Sequence, residues 1–338
     1  MSVCGYFLLY IQRSDPTWHP LAVFEPEWLQ YDDTNKLLRP PKHDHHPPVL
    51  LDNCIYVRYR PSESSNGQLL SYSLVEKSWN ILLTPKEARE GYVLATYFNQ
   101  LVLMGRHSKE RQWTNKVWVY QDNSVWMLDD LISPLPACVC EGEIQSAIGH
   151  GGLLLVAYKT VLGDKAKATI VMFCNEWKSP REGPPLRIYD RVNIVVHESY
   201  IYAVIHSDIN NRTLFFRAQL SSAICDIGEW EQLSTKGSSF SSTPRFAVFG
   251  KKLIVTLVNS YRHNVVLYTP FTDIDGTLSL VDIDDLNVEF ESVDCIVGTS
   301  ESLLVMGQAK KIESSFHKSS VVKFNSKGTN CMYMYIRT

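Results

Sequence analysis

The chain has 338 residues, 45% hydrophobic and 20% charged, with 33 Lys and Arg against 36 Asp and Glu. That composition excludes intrinsic disorder, and a formal charge of −3 excludes a general affinity for polyanions, so electrostatic recognition has to be local. No apolar run reaches the roughly 18 residues that span a bilayer, and Met1–Arg13 has neither a basic lead nor a small-residue cleavage site, so no membrane partner and a cytoplasmic location are expected.

The predicted elements are strands throughout, because short β-branched and aromatic runs recur between Gly, Pro, Asn, Asp and Ser while no long stretch keeps helical spacing. VCGYFLLYI (3–11), LAVF (21–24) and EWLQY (27–31) come first. His43, Asp44, His45 and His46 follow, enclosed by Pro40, Pro41, Pro47 and Pro48. They are read as a solvated connection, since no strand pair or helix fixes the imidazoles for a metal. A repeat then sets in, marked by CIYV (54–57), LVLM (101–104), LLLVAY (153–158), IYAVI (201–205), LIVTLV (253–258) and LLVM (303–306). Tyr56, Val102, Leu155, Tyr202, Ile254 and Val305 lie 46, 53, 47, 52 and 51 residues apart. A strand precedes each marker, as in VLLDN, YVLATYFN, SAIGHGG and NIVVHES. A strand ending in an aromatic follows it, and then a fourth with Trp near its start. Trp28, Trp79, Trp126, Trp177 and Trp230, separated by 51, 47, 51 and 53 residues, are expected to wedge between packed units.

The unit is a four-stranded antiparallel meander, with strands termed a to d. The expected fold is an all-β propeller of seven registers, the first lacking its inner strand, or alternatively six blades and an N-terminal extension. It is read as one domain over 1–338, with 1–46 a partial first blade or closing segment and 47–338 six full repeats. The period of about 50 residues and the Tyr-then-Trp placement resemble the Kelch family. Its Gly-Gly after the second strand stands here as YRP (59–61), GRH (105–107), YKT (158–160), HSD (206–208), NSY (259–261) and GQA (307–309). The resemblance implies adaptor or scaffold roles, including substrate presentation to ubiquitin ligases, although no BTB or F-box segment is visible.

Catalytic signatures are absent: there is no G-x-x-x-x-G-K-[ST], G-x-S-x-G, H-E-x-x-H or paired C-x-x-C. GHGG (149–152) is read as a hairpin turn, DIDG (273–276) as a β-turn, and the eight cysteines as small buried hydrophobes. Cys138 and Cys140 lack a second ligand pair for zinc. No cofactor or metal is expected. The alternative function is a propeller-type enzyme or metal-dependent modifier of small-molecule chemistry.

In such a blade the b-to-c and d-to-a connections emerge on one edge. Taken as 12–19, 60–67, 105–116, 158–168, 206–213, 259–264 and 308–319, the b–c loops hold fourteen Lys and Arg against six acids, while the whole chain is −3. The expected partner-binding residues are Arg60, Arg106, His107, Arg111, Trp113, Lys159, Arg212, Arg262, His263, Lys310 and Lys311, with Trp113 in a polar loop either exposed as an anchor or buried by a loop that folds back. The expected partner is a protein or peptide, acidic or phosphorylated, and not a nucleic acid, whose aromatic platforms are missing.

Overall fold

Strands buried on both faces read as near-continuous apolar runs, and the markers LVLM, LLLVAY and IYAVI form such strands. The structure, a computed structural model, describes residues 6–10, 19–24, 47–59, 68–73, 75, 78–85, 92–106, 113–121, 125–130, 132–207, 209, 212–223, 225–234, 245–249, 252–258, 264–272, 278–298, 303–309 and 329–335. The chain is all-β, built of four-stranded antiparallel blades in a β-propeller arrangement, and its contacts fall into two compact units. One is Met1–Lys42 with Thr235–Thr338; the other is His43–Ser234.

In the first unit, β1 (Tyr6–Tyr10) and β2 (His19–Phe24) form a hairpin. The second unit holds four meanders, numbered here as blades 1 to 4. Blade 1 is β3 (Val49–Leu51), β4 (Cys54–Tyr59), β5 (Gln68–Ser73) and β6 (Ser78–Leu82). Blade 2 is β7 (Tyr92–Tyr97), β8 (Gln100–Arg106), β9 (Trp113–Gln121) and β10 (Val125–Leu128), followed by a one-turn helix α1 (Ala137–Cys140). Blade 3 is β11 (Glu143–His150), β12 (Leu153–Leu162), β13 (Lys165–Phe173) and β14 (Arg181–Leu186). Blade 4 is β15 (Asp190–His197), β16 (Tyr200–Ser207) and β17 (Arg212–Ser221), its outer edge divided between β18 (Asp226–Ile227) and β19 (Glu231–Leu233).

Returning to the first unit, β20 (Arg245–Phe249), β21 (Lys252–Val258) and β22 (Asn264–Thr272) lead into the 21-residue β23 (Leu278–Gly298). This strand pairs with β22 along one part and with β24 (Leu303–Ala309) along the other, so the outer strand of one meander continues as the inner strand of the next. β25 (Thr329–Tyr335) pairs with β24 and, in parallel, with β1. The choice between seven and six blades turns on segments outside the described residues.

Period-two alternation builds the cores between blades. From blade 2, Leu94, Leu101, Leu103 and Trp118 meet Val49, Tyr56 and Leu69 of blade 1. Its alternate residues Val93, Ala95, Val102, Met104, Val117 and Val119 meet Leu154, Val156, Tyr158, Val171 and Phe173 of blade 3. The other face of blade 3, including Leu155, Ala157, Ile170 and Met172, packs on Val192, Ile194, Ile201, Ala203 and Phe216 of blade 4. A one-residue slip would exchange these faces, so every strand's register is pinned.

The tryptophans join these layers as expected from their period. The indole Nε1 of Trp126 donates to Leu83 O at 2.7 Å, that of Trp177 to Ile132 O at 2.8 Å and that of Trp230 to Glu182 O at 3.0 Å. Each acceptor lies on or just after the d strand of the preceding blade. Rings of Tyr120 and Phe173 support Trp126 and Trp177, both at 5.1 Å between centroids. The side chain of Trp79 and all of Trp28 lie outside the described residues.

Inner strands approach closely. A Cβ on Gly149 of β11 would sit 1.5 Å from the Thr96 carbonyl oxygen of β7, a contact with backbone that no side-chain adjustment relieves. GHGG is a hairpin turn, Gly151 and Gly152 having φ of 54° and 80°. The DIDG segment lies outside the described residues.

Candidate functional site

The b–c edge differs from the reading of long polar loops. In blade 3 the ladder runs on from Leu154–Phe173 to Leu162–Lys165, leaving only Gly163-Asp164 as a turn, with Gly163 at φ 63°. Arg106 ends β8 and faces Trp113, which begins β9, so Trp113 is a strand residue and not a loop residue. His206 is buried in β16, its Nδ1 3.0 Å from Thr213 Oγ1. The physical reason is backbone satisfaction: cross-strand bonds continue past the apolar core because each pair gives two peptide groups a partner, whatever the side chains' polarity.

Lys159 stands where the hairpin leaves the core. It faces Glu143 across the β11–β12 pair, with Nζ 3.4 Å from Glu143 Oε2, and donates to Ile188 O at 3.4 Å and Asp190 O at 3.3 Å. Its side chain is 10% exposed. In blade 1, Arg58 on the b strand likewise donates to Tyr92 O at 3.3 Å, at the start of the next inner strand, and lies 5.0 Å over the Tyr92 ring. A b-strand cation therefore straps one blade to the beginning of the next.

Beyond Lys159 the edge opens. Leu162 is 80% exposed, Tyr189 64% and Ile209 63%. A turn built on the buried Asp190 presents Tyr189: the Asp190 carboxylate accepts from Arg187 N at 2.9 Å, and Asp190 N donates to Arg187 O at 3.0 Å. The pairing of Asp190 with Ser207 sets Tyr189 beside the turn that carries Ile209, and the Lys159 bonds draw the base of the Leu162 hairpin to the same place. Lys165, Lys167 and Arg187 are exposed around these apolar tips, as is Asp164; Lys167 reaches Glu182 at 3.6 Å. An ion pair this exposed is worth little, so it leaves Lys167 able to exchange partners.

Of the residues expected to bind a partner, Lys159 is placed with its side chain and is engaged within the chain. Arg106, Trp113 and Arg212 are placed on β8, β9 and β17, their side chains lying outside the described residues, as do Arg60, His107, Arg111, Arg262, His263, Lys310 and Lys311 altogether. The reading missed Leu162, Tyr189 and Ile209. The signal available for Leu162 was the Gly163-Asp164 dipeptide, a two-residue hairpin turn that puts its flanking residues at a tip.

The opposite edge carries the a–b turns. Phe98, 67% exposed at φ 46°, stacks edge-on with Tyr97 at 4.6 Å and lies against Gly152. At the end of β11, burial and, second, nearby His197 hold His150 below the ordinary imidazole value. Among the described residues no three His, Cys, Asp or Glu side chains come together to hold a metal. Cys138 and Cys140 lie on α1, with Val139 between them in the core, and the His43–His46 segment is outside the described residues. Among the described residues no helix is long and apolar enough to cross a membrane. No family model and no curated protein matches the chain.

Proposed function

We propose that the chain is a Kelch-type propeller serving as a protein-interaction module of adaptor or scaffold type. Its b–c edge at blades 3 and 4 takes an acidic or phosphorylated segment carrying an apolar side chain. The observation that carries this reading is that the connections on this edge of blades 3 and 4 expose the apolar Leu162, Tyr189 and Ile209 together with the cationic Lys165, Lys167 and Arg187. Apolar tips supply desolvated contact area, and the surrounding cations supply steering and charge-assisted hydrogen bonds. The indole staples at the repeat's Trp positions support the Kelch assignment.

The test is fluorescence anisotropy with labelled acidic peptides, with and without phosphoserine and with and without a Leu or Phe. Wild-type protein is compared with a Lys165→Glu, Lys167→Glu, Arg187→Glu variant of unchanged circular dichroism. The reading expects salt-sensitive binding that the variant weakens at least about tenfold, or roughly 1.4 kcal/mol. Equal binding to both proteins, or no binding of any acidic peptide, contradicts it.

A further inference from the structure

The described cysteines were expected to be buried fillers, but Cys54, Cys138, Cys140, Cys174 and Cys225 are reduced thiols and only partly buried. Two of them meet across a blade boundary. Cys174 follows β13 in the c–d turn of blade 3, and Cys225 sits in the turn before β18 of blade 4. Both pack on the core that these blades share. Their thiols share a hydrogen bond, and Cys225 also donates to Ser222 O at 3.6 Å. Two further contacts clamp the same boundary: Arg181 Nη2 lies 2.7 Å from Asp226 Oδ1, and Trp230 Nε1 donates to Glu182 O at 3.0 Å. The Lys178 ammonium acts on both sulfurs. Cys225 is held at φ 49°, a conformation a non-glycine residue rarely adopts.

We propose that Cys174 and Cys225 are a modification site: a dithiol that small-molecule disulfides, such as oxidised glutathione, convert reversibly into an inter-blade disulfide. The Cys225 thiolate attacks one sulfur of the reagent, forming a mixed disulfide and expelling a thiolate that takes up a proton. Cys174, having lost its proton to solvent, attacks the Cys225 sulfur and releases the second thiol. The protein gives up two protons and two electrons, and the reagent disulfide becomes two thiols. The hydrogen bond with Cys174 and burial keep the Cys225 thiol above its ordinary value, against the opposing pull of Lys178, so the first step accelerates as pH rises. The bond closes a loop of roughly 50 residues and ties the c–d turns of two blades together.

The experiment equilibrates the reduced chain in glutathione buffers of increasing oxidised fraction, quenches with acid, alkylates, and maps peptides without reduction. Expected are a linked Cys174–Cys225 peptide, a rise in Tm on the order of 5 °C, and reversal of both by dithiothreitol. Cys174→Ser should trap Cys225 as its glutathione mixed disulfide. The proposal is overturned if both thiols alkylate fully in the most oxidising buffer, or if Cys225 links to any other cysteine. Should the variant fail to fold, the wild-type map decides alone.

Discussion

The base and the tip of the blade 3 hairpin carry the same residue types and do different things. At the base, Lys159 is almost enclosed and holds Glu143 and two carbonyls of the next blade's first residues. At the tip, Lys165 and Lys167 are exposed beside Leu162. The difference lies in depth along the strand. At the base Lys159 finds backbone acceptors leading into the neighbouring blade and loses its freedom to them. One residue pair further along the hairpin Lys167 is already exposed, and three pairs further along Lys165 is exposed too. A loop's charge count treats both as one population, whereas the fold separates struts from surface.

Five substitutions at four positions probe that separation. The largest effect is expected closest to the axis, where Gly149→Ala forces a methyl into the Thr96 carbonyl. It should lower stability by about 4 kcal/mol or more in urea unfolding; a loss under about 1 kcal/mol would mean that inner strands shift apart easily. Next is Trp177→Ala at the outer staple, expected to cost about 3 kcal/mol. Trp177→Phe keeps most of the packing and loses the bond to Ile132 O, a cost of about 1 kcal/mol. Lys159→Met keeps the buried stem and removes the strap. A loss of about 1 to 2 kcal/mol is expected, against less than about 0.5 for Lys165→Met at the tip. Equal effects at 159 and 165 would erase the distinction drawn above.

The smallest effect is a pH dependence. The fold holds His150 below its ordinary value, so the unfolded chain binds the proton more readily. The sign follows: stability from neutral His150 is complete above about pH 6.5 and falls as the pH drops through that value towards the lowered one. His150→Gln should flatten the Tm profile between about pH 7.5 and 5.5. An unchanged profile would assign the slope to other groups.

Much of the architecture was legible. Apolar runs on a period near 50 residues could only be strands buried on both faces, and the tryptophans at one place in each repeat became indole staples at Trp126, Trp177 and Trp230. GHGG announced a turn because φ above zero suits glycine. The candidate site was less legible, because polarity was taken to mean loop. Thr160 and Lys167 pair as well in a ladder as two valines do, so the strands of blade 3 run on through residues read as a loop. Leu162 and Tyr189 could not be told from core residues by type; only the lengths of the strands show that they project past their neighbours. The joining of Cys174 to Cys225 was invisible, since nothing in a repeat's spacing says which turns of adjacent blades touch.

The most direct test of the central claim, that the tip of the blade 3 and 4 edge binds and its base supports, is hydrogen-exchange footprinting of the full chain with a saturating acidic, apolar-bearing peptide. Protection is expected over 160–167, 187–190 and 207–212, and Leu162→Asp should abolish it while leaving exchange in β11 and β15 unchanged. Protection confined to the a–b turns around Phe98 and Gly151, with the 160–167 hairpin exchanging as in the free protein, would contradict the account.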